Sequence, residues 1–408
     1  MAYGEGISIH KPSPAWGAAA ACLSLFAYAT ALFITPALNN EIARAYDASL
    51  AMLGQLPMAL MFGFIAGVLL TGRIADRLGK SPVMAAGDVA IGAGVLLFAA
   101  SSDLRTAMFA NFIVGLGGGM SEVGSMALVA DLYDHSRRTS MANLSQAAFS
   151  FGAVGAPIAV GLMLSSGMDW RLGYNAVAAI CGAAAVMSLV AAIRYRGNPI
   201  ATARGQQPGG DRPGLLTPVL GLLSLAAALY VGAEIGLSTW MSVLLERELG
   251  AAPAIAASGL SLLWLGLGFG RIAGGFVAGR IGDARLLLWT IGMATVLMGA
   301  LLVASDPWVV MACSFGLGFC FGPVFPTLVS AATGANPHRS GAVMAIVVAI
   351  GALGGAIFPA SIGWAADTVG LRPALWACFV LLLADTIIAA RLRRWETARS
   401  RTGAASQT

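Results

Sequence analysis

With 408 residues, 58% of them hydrophobic and only 11% charged, and a mean hydropathy of +0.80, this chain cannot cover a water-facing surface with charge. A soluble domain carries about a quarter charged residues. Its solvent is therefore lipid, and the net charge of +5, spread over short loops and the C-terminal tail, follows membrane orientation and excludes a nucleic-acid partner.

Apolar runs of about 20 residues, long enough to cross about 30 Å of hydrocarbon as helices, recur twelve times. The first six occupy 15–36, 49–71, 82–100, 106–131, 141–164 and 172–193; the second six occupy 216–242, 254–278, 286–304, 308–332, 341–364 and 372–390. Helices satisfy their own backbone hydrogen bonds, which lets them span, so the expected fold is an all-α membrane protein. The first run is long enough to remain as a span, with no cleaved leader. Between the sixth and seventh runs lies a polar linker with Arg194, Arg196, Arg204 and Arg212 among prolines and glycines. The expected division is a six-helix half at 1–193, a linker at 194–215, a second six-helix half at 216–390 and a tail at 391–408. With the N-terminus in the cytoplasm, 18 of the 24 Lys and Arg residues fall on that side and five on the other; Arg271 alone lies inside a span. Both termini are therefore expected in the cytoplasm, in the inner membrane of a bacterium.

The two halves repeat. Met61 to Asp76 against Gly268 to Asp283 matches at 9 of 16 positions without a gap, among them Gly72, Arg73, Ile74 and Asp76. The stretch from Gly72 to Lys80 reads as a charged loop between two spans, and Gly279 to Asp283 as its partial copy. Parallel halves of this kind are one of the repeats built into transporters.

Here the residues resemble the major facilitator superfamily: Gly72-x-x-x-Asp76-Arg77-x-Gly79-Lys80 is similar to that family's loop between its second and third helices. The resemblance implies two pseudo-symmetric six-helix halves, transport by alternating access, and a gate in this loop. Gly72, Arg73, Asp76, Arg77 and Gly79, with Arg271, Arg280 and Asp283 of the second copy, are its gating candidates; Asp76 would pair with the eleventh span near Gly341. A finer resemblance, to the sugar-transporting branch related to fucose:proton symporters, rests on Gly117 to Glu122, Tyr230 to Gly236 and Gly322 to Thr327. It implies proton-coupled sugar uptake through buried carboxylates. The first span lacks the acid fucose symporters carry there, and Asn111 stands where many proton-coupled members have arginine.

Read on their own chemistry, Glu122 and Glu234 are the sharpest candidates. Each lies well inside a span, where a charge costs at least about 2.5 kcal/mol and marks function by default. Both are expected to take protons and to accept substrate hydroxyls. Tyr28, Asn111, Gln146, Tyr230, Trp240 and Trp264 complete the expected sugar pocket, amides and indoles offering donors and an apolar face. Asp88, six residues after Pro82 and so near the cytoplasmic interface, reads as support for the loop network, and Asp385 as a structural acid with a partner on its own helix or the next. Trp16, Trp170 and Trp308 read as interface markers. Gly152-x-x-x-Ala156-Pro157 partly matches the motif of drug:proton antiporters and keeps an exporter of drugs or metabolites as the alternative function; its bland reading is a closely packed, kinked helix. The five cysteines lie inside apolar runs as small hydrophobes. No metal or cofactor spacing and no nucleotide-binding loop occurs, so neither an enzyme nor an ATP-driven pump is expected. The expected partners are a small-molecule substrate, protons and the bilayer, with the protein acting as a monomer.

Overall fold

The structure is a computed structural model that describes residues 14–133, 135–195, 217–335 and 340–405. The linker at 196–216 lies outside the described residues, as do the side chains of Gly72, Arg73 and Asp76 and of 335–342, so the expected pairing of Asp76 with the eleventh span falls there too.

The described residues form fourteen α-helices: α1 (Ala15–Ala37), α2 (Asn39–Tyr46), α3 (Leu50–Leu78), α4 (Lys80–Ala100), α5 (Leu104–Leu132), α6 (His135–Ser165), α7 (Arg171–Arg194), α8 (Pro218–Val243), α9 (Pro253–Ile281), α10 (Asp283–Val303), α11 (Pro307–Phe321), α12 (Val324–Ala335), α13 (Ser340–Val369) and α14 (Leu371–Ala405). Twelve segments are long and apolar enough to cross a membrane, in the places the sequence predicts. The tenth is broken into α11 and α12 at Gly322-Pro323, where proline cannot donate to the helix ladder. The eighth helix, α8, ends in a π turn, Leu244–Glu248. Short α2 is a helix the sequence pattern does not reveal.

The expected charged loop is corrected. α3 continues through the Gly72 to Leu78 stretch, and the connection to α4 is the single residue Gly79, at φ 90°. Gly282, at φ 82°, makes the same turn between α9 and α10. This region of φ suits glycine because no Cβ clashes. Asp76 therefore lies before its turn, on α3, whereas Asp283 follows its turn and opens α10, where a helix N-terminus favours an acid. Sequence identity pairs the two acids; the helix ends separate them. Of the remaining gating candidates, Arg77 and Arg280 are exposed in the last turns of α3 and α9.

Each half is packed through glycine. α3 lies so close to α5 that a Cβ on Gly115 would stand 1.8 Å from the Leu60 carbonyl oxygen. α9 and α11 repeat the contact, with Gly318 at 1.8 Å from the Leu263 carbonyl oxygen. The repeated glycines are thus largely helix-packing positions: small residues let backbones approach where lipid offers no hydrophobic drive between helices.

Call the two faces of the bundle the α2 end and the Gly79 end. Between the halves, α3 packs on α13 and α6 on α9. Among the described residues, every hydrogen bond that joins the halves lies toward the α2 end. Asn39 donates to the Thr239 carbonyl (2.6 Å), Asn40 to Glu246 (2.7 Å), Arg247 to Asn40 (2.8 Å) and Ser242 to the Pro36 carbonyl (2.6 Å). Asp367, near the end of α13, accepts from the backbone N–H groups of Leu50 and Ala51 at 2.9 and 3.0 Å. It caps the first turn of a helix in the other half, satisfying donors that a helix start leaves free.

Gly318→Val should lower the melting temperature in detergent by several degrees, since overpacking costs about 1–3 kcal/mol. An unchanged melting curve would show that α9 and α11 do not depend on this contact.

Candidate functional site

Going from the α2 end inward, the interface between the halves is built in three layers. The first is the polar seal just described. Beneath it lies a cavity of about 20 Å³, the size for one water, bordered by Phe33, Met61, Asn111, Ser238 and Thr239.

The second layer is aromatic. Phe33 of α1 meets Trp264 of α9 with ring centroids 4.2 Å apart, and Phe149 of α6 closes on both at 6.1 and 6.2 Å. Tyr28 stacks on Phe64 (6.1 Å, 8° between planes) and tilts against Phe149. Its ring fits because Gly118 lies beneath: a Cβ there would stand 2.1 Å from Tyr28 Cε2. The indole Nε1 of Trp264 is buried with no hydrogen-bond partner, an unused donor between the halves.

The third layer is charged. α6 and α9 stay in contact as far as Ser150 and Gly268. One turn further, toward the Gly79 end, come Gln146 and Arg271. Gln146 donates to Glu122 of α5 at 3.2 Å. Arg271 lies in electrostatic reach of Glu122 in the first half and of Glu234 in the second. Its Nε is buried and has no hydrogen-bond partner, and among the described residues it closes no ion pair with either acid. Glu234 is only 7% exposed. Arg271 was expected in the gate; the structure brings it to the two carboxylates instead, about 15 Å along α9 from its end.

Other expected pocket residues separate from this layer. Trp240 is 0% exposed, and its indole donates to the Pro359 carbonyl of α13 at 3.2 Å, so it joins two helices of one half. The Tyr230 hydroxyl donates to the Phe321 carbonyl at 3.2 Å, beside Glu234 but inside the second half. Asn111 donates to the Leu56 carbonyl at 3.3 Å and borders the small cavity, about 16 Å along α5 from Glu122. Gly152 packs on α1, its missing Cβ 2.6 Å from the Phe26 carbonyl oxygen, which favours helix packing at the partial antiporter motif. Trp170 is buried against Phe98 and Tyr174, and so is not an exposed interface marker; Trp16 and Trp308 are exposed.

Two acids lie in the cores of the halves, away from the interface. Asp88 is 0% exposed and accepts from Ser24 (2.5 Å), Ser121 (2.9 Å) and Ser188 (2.7 Å), tying α4 to α1, α5 and α7. Asp385 is also 0% exposed, yet neither carboxyl oxygen has a partner. Among the described residues, the structural partner expected for it is not there.

A family model described as "Major Facilitator Superfamily" matches residues 20–359 and 223–407. The "Glucose/mannose transporter GlcP" of Bacillus subtilis (strain 168) is 23% identical over 351 residues, 82% of this chain and 84% of that protein. A "Protein TsgA homolog" of Erwinia tasmaniensis is 21% identical over 361 residues, covering 86% and 89%. Among solved structures, a bacterial homologue of the human lysosomal transporter Spinster, in an inward-facing and occupied conformation, superposes with a TM-score of 0.74 at 16% identity, over 94% of this chain and 97% of that one.

The seal yields its own prediction. Asp367→Ala removes a helix cap worth about 1 kcal/mol, so the α2 end should open about fivefold more often. With the five native cysteines replaced and Thr239→Cys introduced, labelling by a membrane-impermeant maleimide should speed up accordingly; equal rates with and without Asp367→Ala would mean that the cap does not hold the seal.

Proposed function

This chain belongs to the major facilitator superfamily of secondary transporters, and on that premise we propose that it couples proton entry to the uptake of a sugar or a sugar-like small polar solute. The observation that carries the reading is the layer of Glu122, Gln146, Arg271 and Glu234, contributed by both halves and set against an aromatic layer with a free indole donor. A polyol matches that chemistry. Its hydroxyls donate to carboxylates and accept from the guanidinium, while its ring face rests on Trp264 and its neighbours. The similarity to a glucose/mannose transporter over 84% of that protein's length supports the same substrate class.

The charges supply the coupling. Arg271 offsets one carboxylate; the second must be protonated for the layer to be neutral, and burial favours the neutral form. Proton and substrate then occupy one site and stabilise each other's binding, which is what coupling requires. Glu122, hydrogen-bonded to Gln146 and facing Arg271, is the proton acceptor that meets substrate. Glu234 is its counterpart in the second half, and Arg271 acts as a substrate-facing cation in this reading.

In this reading 1–193 and 216–390 are the rocking halves, 194–215 is their linker, and 391–408 is the tail. The arginine-rich Gly79 end faces the cytoplasm of a bacterial cell, which puts the seal on the outer side and the charged layer on the inner side of it. The Gly72 to Gly79 stretch of α3 is the matching inner gate.

The test uses purified protein in proteoliposomes, with labelled D-glucose and D-mannose as probes. Wild type should exchange one of them and accumulate it under an inward proton gradient. Glu122→Gln should lose about tenfold or more of the gradient-driven accumulation while keeping exchange. Accumulation by Glu122→Gln equal to wild type would reject the proton role, and absence of exchange with either probe would reject the substrate class.

A further inference from the structure

The two core acids, Asp88 and Asp385, are equally buried and oppositely treated. Asp88 has three serine donors to hold a negative charge. Asp385 has none: both oxygens are sealed and unpartnered, in a stripe of α14 that includes Leu381, Leu382, Ile388 and Ala389. An ionised carboxylate without donors or a cation is not tolerated while the site is sealed, so Asp385 holds a proton in this conformation and gives it up only when the packing around it opens. A leucine would fill the position without burying a polar group, so stability does not account for the acid. Buried intramembrane acids mark proton paths.

The surroundings indicate where that proton goes. α14 packs against α8, α10 and α13. α8 brings Tyr230 into electrostatic reach of Asp385, with Glu234 one turn further along and also in reach of Tyr230. α10 carries only Asp283 and Arg285, both in its first turn, and α13 only Asp367, at its far end. α14 itself has Cys378 two turns before Asp385 and Arg391 less than two turns after. The π turn Leu244–Glu248 also touches α14, but its charged residues Glu246, Arg247 and Glu248 lie at the α2 end; among the described residues Tyr230 is thus the titratable neighbour that connects Asp385 with the charged layer.

We propose that Asp385 is a second proton-binding residue of the transport cycle, exchanging its proton with Glu234 through the Tyr230 hydroxyl. The transfer balances on one oxygen: Tyr230 gives its hydroxyl proton to the Glu234 carboxylate while taking the Asp385 proton, so the phenol stays neutral and one proton moves from Asp385 to Glu234. The hydroxyl now rests on the Phe321 carbonyl, next to the Gly322-Pro323 break. Movement of α11 against α8 frees it to turn, which ties the transfer to the conformational change. Asp385 acts through Tyr230 and does not touch substrate. The proposal rests on the proton-coupled reading above, but its first test needs no sugar.

That test is the infrared difference spectrum of the purified full-length chain between acidic and alkaline buffer. Wild type should show the stretch of a protonated, unbonded carboxyl that Asp385→Asn lacks. In proteoliposomes Asp385→Asn should keep D-glucose or D-mannose exchange within about twofold, lose about tenfold or more of gradient-driven accumulation, and lose part of the pH dependence; Asp385→Glu should restore both. Tyr230→Phe should leave the infrared band and slow accumulation. An unchanged band, or Asp385→Asn with wild-type accumulation and pH profile, overturns the proposal. If Asp385→Asn cannot be purified, Asp385→Glu decides: a moved band and pH profile support the proposal, and unmoved ones overturn it. If wild type exchanges neither sugar but the band is lost in Asp385→Asn, the proton site stands and the sugar reading falls.

Discussion

Arg271 imposes the main constraint on this molecule. A guanidinium cannot be deprotonated and, at the depth of a bilayer, costs about 2.5 kcal/mol or more unless something answers its charge. Here the answer comes from both halves at once, Glu122 on α5 and Glu234 on α8, with Arg271 on α9 in electrostatic reach of each and, among the described residues, closing an ion pair with neither. A closed pair would be a strut. An open triad with a buried, unpartnered Nε is a site whose electrostatics change whenever a proton or a hydroxyl-bearing ligand enters.

The rest of the fold holds these three helices at the right distance. Glycine contacts bring α5 onto α3 and α11 onto α9 at backbone range. Asp88 adds a polar knot to the first half. The seal at the α2 end is of a different kind, made of amides, the Ser242 hydroxyl, two arginines (Arg44 and Arg247), one glutamate and the Asp367 cap, each replaceable by water once the halves part. Beside this seal the halves also meet through the Phe33–Trp264 contact and through close glycine contacts, Gly363 on the Leu50 carbonyl and Gly54 on Ala360.

The sequence makes the twelve spans, the two-fold repeat and the candidate acids legible, because span length, hydropathy and the penalty on buried charge are properties of single segments. It misplaces the Gly72 stretch as a loop: charge marks the end of the hydrocarbon, whereas the helix itself continues until Gly79 permits a turn. Its pattern does not reveal that the Trp240 indole is spent on the Pro359 carbonyl of α13, because that partner lies 119 positions away. The approach of Arg271 to Glu122 and the cap on α3 by Asp367 join residues more than a hundred positions apart, and the isolation of Asp385 depends on which neighbours are missing. No periodicity encodes those relations.

The most direct measurement of the central claim is a double-mutant cycle on unfolding in detergent, which needs no substrate. Arg271→Gln, Glu234→Gln and the pair together, with the same set for Glu122, give the coupling between the guanidinium and each carboxyl. The account predicts that losing Arg271 destabilises the protein less when its partner glutamate is already neutralised, by about 1 kcal/mol or more for each pair. Additivity within about 0.5 kcal/mol for both pairs would mean that Arg271 does not hold the charge balance of the two acids, and would contradict the account.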